Sequence, residues 1–184
     1  VSIATLASLG LAVLTFWADT AGRKEERANE AVSARATSWS LLLTPAVGTS
    51  GKSNALAFLA ATGQSFSGID LSCLTMGGPA NWDATELSCL NPVRITDLAF
   101  EETSFEKVNF NGVFIRDVTF DGLTFEDARL LGADLKGVEF SNVNLEDAVL
   151  IGANLTTSQF ENSSLYSADL SGTNLVSTQF ENVN

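Results

Sequence analysis

The sequence predicts a mainly β chain: a four-sided β-helical solenoid over residues 93–184, preceded by an N-terminal transmembrane helix and short α-helices. Three observations predict it. From Ile95 to Phe180 every fifth residue is Leu, Ile or Phe, eighteen times in succession. A second period of twenty lies over the first: Phe100, Phe120, Phe140, Phe160 and Phe180 recur in step with Gly112, Gly132, Gly152 and Gly172. Residues 1–17, VSIATLASLGLAVLTFW, carry no charge.

The uncharged stretch comes first. Seventeen residues at ~1.5 Å each reach about 25 Å, close to a ~30 Å hydrocarbon core. Phe16 and Trp17 stand at its border with the charged GRKEER, where aromatic side chains suit a membrane interface. A single span is expected, its start lying before Val1. Residues 18–63 read as membrane-proximal helices. Ala18–Thr44 is rich in Ala, Glu, Arg and Leu, with no Gly after Gly22. Pro45 ends that helix, because proline lacks a donor and disfavours helix before it. A Gly/Ser loop follows at 46–53, AVGTSGKS, then a short helix stopped at Gly63. Residues 64–92 are transitional and lead into the first coil. Cys73 and Cys89 enclose fifteen residues there. A disulfide closing such a loop is worth roughly 3 kcal/mol, and is expected only in an oxidising compartment.

Neither the 3.6-residue nor the two-residue period accounts for a spacing of five, so residues 93–184 are neither amphipathic helix nor ordinary strand. A strict short period indicates a solenoid. Two residues before each large apolar residue stands a smaller one, as at Val108, Val118, Ala128, Ala133, Ala148 and Ala153. Both point inward, as alternation along an extended segment requires. Two residues after the large one, most corners carry Gly, Asn, Asp or Ser, which tolerate the positive φ of a type II turn. The period of twenty makes four pentapeptides one coil. Eighteen units give 4.5 coils, about 22 Å at ~4.8 Å per coil.

The units GADLKG, IGANLTT and SADLSGTNL resemble the pentapeptide-repeat family, whose pattern is A-(D/N)-L-x-x, and the resemblance covers residues 93–184. It implies a right-handed quadrilateral β-helix. Departures are Val, Thr or Leu at many small positions and Phe at eight large ones, which predicts a fuller early part. The lead-in also resembles membrane-tethered members, in which one span precedes the repeats.

Composition narrows function. The chain has a net charge of −12, and residues 93–184 hold 5 basic and 15 acidic groups. Binding nucleic acid by phosphate neutralisation is therefore not expected. With no histidine and two cysteines, neither a general base of the commonest type nor a structural zinc site is at hand, and no calcium-loop motif occurs. No catalytic, metal or cofactor residue is expected. The loop ending at Lys52 fits the loose phosphate-loop pattern, but no residues remain for the parallel sheet such a loop needs. Positions flanking each large residue face outward and are mostly polar. The exceptions Leu131 and Ile151, one coil apart, with Val149 and Phe114 nearby, predict a protein contact. Tyr166 and Val176 are weaker candidates.

The expected function is that of a non-enzymatic, membrane-anchored scaffold or accessory subunit in a larger membrane protein complex. Its expected partners are the membrane and other protein subunits, with self-association or capping at the C-terminal coil. The alternative is an acidic mimic of DNA that binds a topoisomerase, as the resemblance implies for some soluble members. A nucleotide-binding protein acting through Lys52 ranks below both. The expected location is a bacterial inner membrane. Arg23, Lys24 and Arg27 favour a cytoplasmic solenoid, whereas a Cys73–Cys89 bridge favours the periplasm.

Overall fold

The structure, a computed structural model, describes residues 3–45, 51–77, 82–83, 85, 88–90, 92, 94–101 and 103–184, with side chains from Gly22 onward except Gly77, Trp82 and Ser88. It separates into two units, Val1–Thr37 and Ser38–Asn184. Helix α1 (Ile3–Leu43) provides the whole described backbone of the first unit. The segment 18–63 is therefore divided at Thr37. Among the described residues no helix is long and apolar enough to cross a membrane. The expected span at 1–17 falls where side chains lie outside the described set.

The second unit holds the end of α1, then α2 (Lys52–Ala61), α3 (Cys73–Gly77) and a hairpin of β1 (Trp82–Asp83) and β2 (Ser88–Cys89). The solenoid follows. Strands β3 (Arg94–Thr96) and β5 (Phe114–Arg116) pair in parallel. A parallel ladder runs β4 (Ala99–Phe100), β6 (Thr119–Asp121), β7 (Glu139–Ser141), β8 (Gln159–Glu161) and β9 (Gln179–Glu181). Its register, Phe100↔Phe120↔Phe140↔Phe160↔Phe180, advances by twenty residues at each step. Three further faces are held by parallel bridges with the same step, such as Ser104↔Thr124↔Asn144↔Ser164. The coil thus has four faces of one pentapeptide each.

The solenoid starts earlier than the expected 93. Phe66 stacks on Phe105 with ring centroids 5.1 Å apart. The amides of Phe66, Gly68, Leu71 and Cys73 donate to the carbonyls of Ser104, Glu106, Asn109 and Asn111. This is the bonding that Phe105, Lys107, Phe110 and Gly112 make to the next coil. The first coil is therefore Phe66, Leu71, Ile95 and Phe100, and the protein has five coils rather than 4.5. Phe66 precedes Phe105 by 39 positions where later partners differ by 20, so the first coil carries a 19-residue insertion. The insertion leaves after Leu71, and Cys73 and Cys89 are joined by a disulfide across it, their Cα atoms 6.0 Å apart. The segment 64–92 is thus one half-coil plus an insertion.

The faces are numbered in chain order by their inward residues. Face 1 holds Phe66, Phe105, Phe125, Leu145 and Leu165, and face 2 holds Leu71, Phe110, Leu130, Leu150 and Leu170. Face 3 holds Ile95, Ile115, Leu135, Leu155 and Leu175, and face 4 carries the ladder from Phe100 to Phe180. The face-4 rings stack at 4.7–5.5 Å, and those of face 1 meet them edge-on, as at Phe120–Phe125, 4.9 Å and 78°. Such contacts add about 0.5–1.5 kcal/mol each beyond area burial. From Asp97 onward every described corner residue has a positive φ, including Gly112, Gly132, Gly152 and Gly172 at 60–68°. At many corners the amide three residues on bonds back to the large residue's carbonyl, as Val108 N to Phe105 O at 3.0 Å, which closes a type II turn.

The two ends differ. At the first coil Trp39, Leu42, Ala55, Leu56 and Leu59 join the apolar core, so the end of α1 and helix α2 cap it. At the last coil Phe180, expected inside, is 46% exposed because nothing described lies over it.

Candidate protein-interaction edge

The loop residue Lys52 settles into a structural role. Its side chain is fully buried, and Nζ donates to the carbonyls of Leu41 (3.0 Å), Leu42 (2.7 Å) and Thr44 (2.6 Å). These belong to the C-terminal end of α1, whose last carbonyls have no intrahelical donor. An ammonium has three donors, and all three are used. Burial pushes its pKa below the ordinary lysine value. No donor is left for a phosphate, so the nucleotide reading of Lys52 fails here. Residues 46–50 of that loop lie outside the described residues.

The proposed contact residues separate. Leu131 and Ile151 flank the corner between faces 2 and 3 in successive coils, and Val149 lies beside them on face 2. All three are half-buried. Phe114 differs. It points outward on face 3, yet is only 9% exposed, because the guanidinium groups of Arg94 and Arg116 each lie 4.3 Å from its ring centroid. Cation–π attraction of this kind is worth ~0.5–2 kcal/mol. Phe114 is therefore a platform for two arginines and not an apolar contact. The period of twenty places Arg94 directly below Phe114, a signal that reading the outward apolar residues alone passes over. Tyr166 and Val176 are 62% and 64% exposed, both in the last coil.

Charge is segregated around the same axis. Faces 4 and 1 carry Glu101, Asp121, Glu139, Glu161, Glu181, Glu106, Glu126 and Glu146, with Asp127 and Asp147 at the next corner. Against these acids stands Lys107, which pairs with Glu106 and lies 3.5 Å from Asp127. Its hydrogen bond to Glu106 raises its pKa. Faces 2 and 3 hold Arg94, Arg116, Arg129 and Lys136. Glu101, Asp121, Glu161 and Glu181 flank the corner between faces 4 and 1, diagonally opposite the edge bearing Leu131 and Ile151. Glu106, Glu126 and Glu146, with Asp127 and Asp147, flank the corner between faces 1 and 2. The insertion tied by Cys73–Cys89 emerges from the edge bearing Leu131 and Ile151, one coil below Asn111.

A coil of twenty residues, an apolar residue at every fifth position and a positive φ two residues later point to one repeat class. Residues 144–182 match the family model of pentapeptide repeats, in eight copies. They include Ala-Asn-Leu at 153–155 and Ala-Asp-Leu at 168–170. Earlier coils use Val or Leu at the small position and Phe at the large one. No curated protein matches the chain. Two solved pentapeptide-repeat structures are similar. Rfr23 from the cyanobacterium Cyanothece 51142 is 22% identical, covering 50% of this chain and 64% of that one, with a TM-score of 0.48. A thylakoid-lumen protein from Arabidopsis thaliana is 24% identical, covering 60% and 64%, also at 0.48. QnrB1, a plasmid-mediated fluoroquinolone resistance protein, is 22% identical over 66% of this chain and 63% of that one, at 0.26. The chain thus spans less than two thirds of the length of each of these three.

Proposed function

We propose that the chain is a non-enzymatic interaction module, an accessory or scaffold subunit of a larger membrane protein complex. It binds another protein along the edge between faces 2 and 3, and the uncharged start of α1 tethers it to the membrane. The observation that carries this reading is the placement of Leu131, Val149 and Ile151 on one edge of a solenoid whose diagonally opposite edge carries Glu101, Asp121, Glu161 and Glu181. Rigidity supports it further, since a preorganised surface loses little entropy on binding. The concavity between α2 and β4 presents one carboxylate, Glu101, among Ala57, Ala60, Ala61 and Ala99, which is no catalytic constellation. The Cys73–Cys89 bond favours an oxidising compartment, such as the periplasmic side of a bacterial inner membrane, over the cytoplasmic side that Arg23, Lys24 and Arg27 suggest.

Photo-crosslinking amino acids placed in cells at 131 and 151, and separately at 126 and 146, test the reading. Adducts from the first pair alone are expected, and adducts from the second pair alone would overturn it. For the tether, Leu11→Arg with Leu14→Arg should release the chain from membranes at alkaline pH, since each arginine costs about 2.5–3.5 kcal/mol at a span's centre. Retention of that variant would sink the tether.

A second reading rests on faces 4 and 1, whose stacked carboxylates offer a polyanion-like surface to a DNA-binding enzyme such as a topoisomerase. It predicts inhibition of DNA supercoiling by the full chain, lost on Glu126→Lys with Glu146→Lys. Supercoiling that proceeds unchanged at high protein concentration removes it.

A further inference from the structure

Leu131, Val149 and Ile151 all point outward from face 2, and with Arg129 they form its outer surface in the third and fourth coils. Two columns border that patch. On face 2, on the side away from the edge, Asp70, Asn109, Arg129, Val149 and Asp169 stack one above another. On face 3, just beyond the corner, stand Arg94, Phe114, Asp134, Asn154 and Asn174. Level by level, the charges of the two columns are opposite or absent. Asp70 shares the first coil with Arg94, and Arg129 shares the third with Asp134. Asp169 shares the last with neutral Asn174, and no level carries like charges in both columns. Asp70, Arg94 and Arg129 are exposed, and among the described residues neither arginine makes an ion pair. The insertion leaves the corner in the first coil and buries Met76 in the core there. The corners of the third and fourth coils are Gly132 and Gly152.

We infer that the occupant of this edge is a second copy of the chain, lying parallel to the first with face 2 against face 2. The inference rests on the interaction reading above and names its partner. A two-fold axis parallel to the solenoid keeps every coil at its own level and turns the face-2 column of one copy toward the corner of the other. Val149 then meets Ile151 of the second copy, and the stem of Arg129 covers its Leu131. The head of Arg129 reaches Asp134 just past that corner, and Asp70 stands in the same relation to Arg94. The two-fold makes each pair twice. Asp134 already accepts from Arg116, from Asn154 Nδ2 and from the Lys136 amide, and a carboxylate has about four such sites, so one is left for Arg129. Antiparallel packing can bring Arg129 to Asp169, but it sets the corners bearing Asp127 and Asp147 of both copies side by side. Parallel packing sets those corners beside Gly132 and Gly152 instead. It also leaves both first coils at one end, as two chains tethered to one membrane require. The net charge of −12 on each copy opposes approach, and a Debye length of ~8 Å at physiological ionic strength confines that repulsion.

The test uses the full chain in mild detergent. Sedimentation should show a dimer, which Arg129→Glu weakens about tenfold or more. Asp134→Arg should weaken it likewise, and mixing the two variants should restore it, because position 129 of each copy then meets an opposite charge at 134. Val149→Ser with Ile151→Ser should also dissociate it, with circular dichroism confirming that each variant folds. If Asp134→Arg does not fold, Arg129→Glu and the serine variant decide. A chain that stays monomeric overturns the inference. So does a dimer that Arg129→Glu leaves unchanged, since such a dimer is held elsewhere, as at the open last coil. Photo-crosslinking from 131 and 151 should give adducts of twice the chain's mass. Adducts to a different protein alone would leave the interaction reading standing and remove the second copy. No adduct from either position would remove both.

Discussion

Thr157 stands at a corner with φ of 59°, a conformation that Asn142, Asn162 and Asn182 adopt at the corner after face 4. For a β-branched residue the left-handed region is costly, about 1–2 kcal/mol. Its hydroxyl donates to the carbonyl of Thr156 at 2.6 Å and offsets part of that. Thr157→Asn should therefore raise the thermal midpoint, and a lowered midpoint would show that the Thr156 bond outweighs the strain. Lys52 carries the opposite expectation. Lys52→Met keeps the buried volume but leaves the carbonyls of Leu41, Leu42 and Thr44 without their donor. The cost should be about 1–3 kcal/mol in denaturant unfolding. A neutral result would mean that water replaces the ammonium. Both residues show why single positions resist sequence reading. Thr157 occupies a slot whose rule the period supplies, although the residue breaks the rule. Lys52 sits inside a pattern that spells a phosphate loop, and its role depends on carbonyls eight to eleven residues earlier.

The five-residue Phe ladder is legible because it repeats. Each coil restates the fifth-position rule, and the period of twenty fixes register without any contact information. The first coil was not legible, although Phe66 and Leu71 are five apart and obey the same rule. One pair is not a period, and the 19-residue insertion shifts everything before it out of phase. The site was half legible for a similar reason. Leu131 and Ile151 repeat at twenty and announce themselves; Arg94 also stands twenty before Phe114, but an arginine below an aromatic ring does not show from position alone that its guanidinium lies over the ring. The insertion also gives the disulfide its physical purpose. Cys73 occupies the corner that Gly112 fills one coil later, and its amide bonds to Asn111. Tying it to Cys89 holds the broken coil closed where β3 resumes. Reduction should cost about 3 kcal/mol on the loop-entropy account. It should also speed hydrogen exchange at the Leu71 and Cys73 amides while leaving those at Leu145 and Leu150 unchanged. Equal acceleration in all coils would mean that the solenoid opens as one unit and that the bond acts globally.

At the scale of the whole molecule the main conflict is between an apolar core that stacks and carboxylates that are stacked with it. Identical register places Glu106, Glu126 and Glu146 one above another, with Asp127 and Asp147 beside the last two. Successive coils are ~4.8 Å apart, and like charges at such spacing repel by up to about 1 kcal/mol even in water. Few cations relieve them: Lys107 reaches Glu106 and Asp127, and Arg116 is committed to Asp134 on another face. Unfolding separates these charges, so repulsion lowers stability in the folded state alone. Salt shortens the Debye length to ~3 Å at 1 M, inside the coil spacing, and should remove most of this penalty. The thermal midpoint is therefore expected to rise with sodium chloride and to level off near that concentration. Glu126→Gln with Glu146→Gln should raise the midpoint at low salt and flatten the salt response. A midpoint that falls as salt is added would mean that the ion pairs of Lys107 and Arg116 outweigh the ladder. The acidic edge would then be a stabilising feature, and its separation from the edge at Leu131 and Ile151 would no longer require a functional explanation.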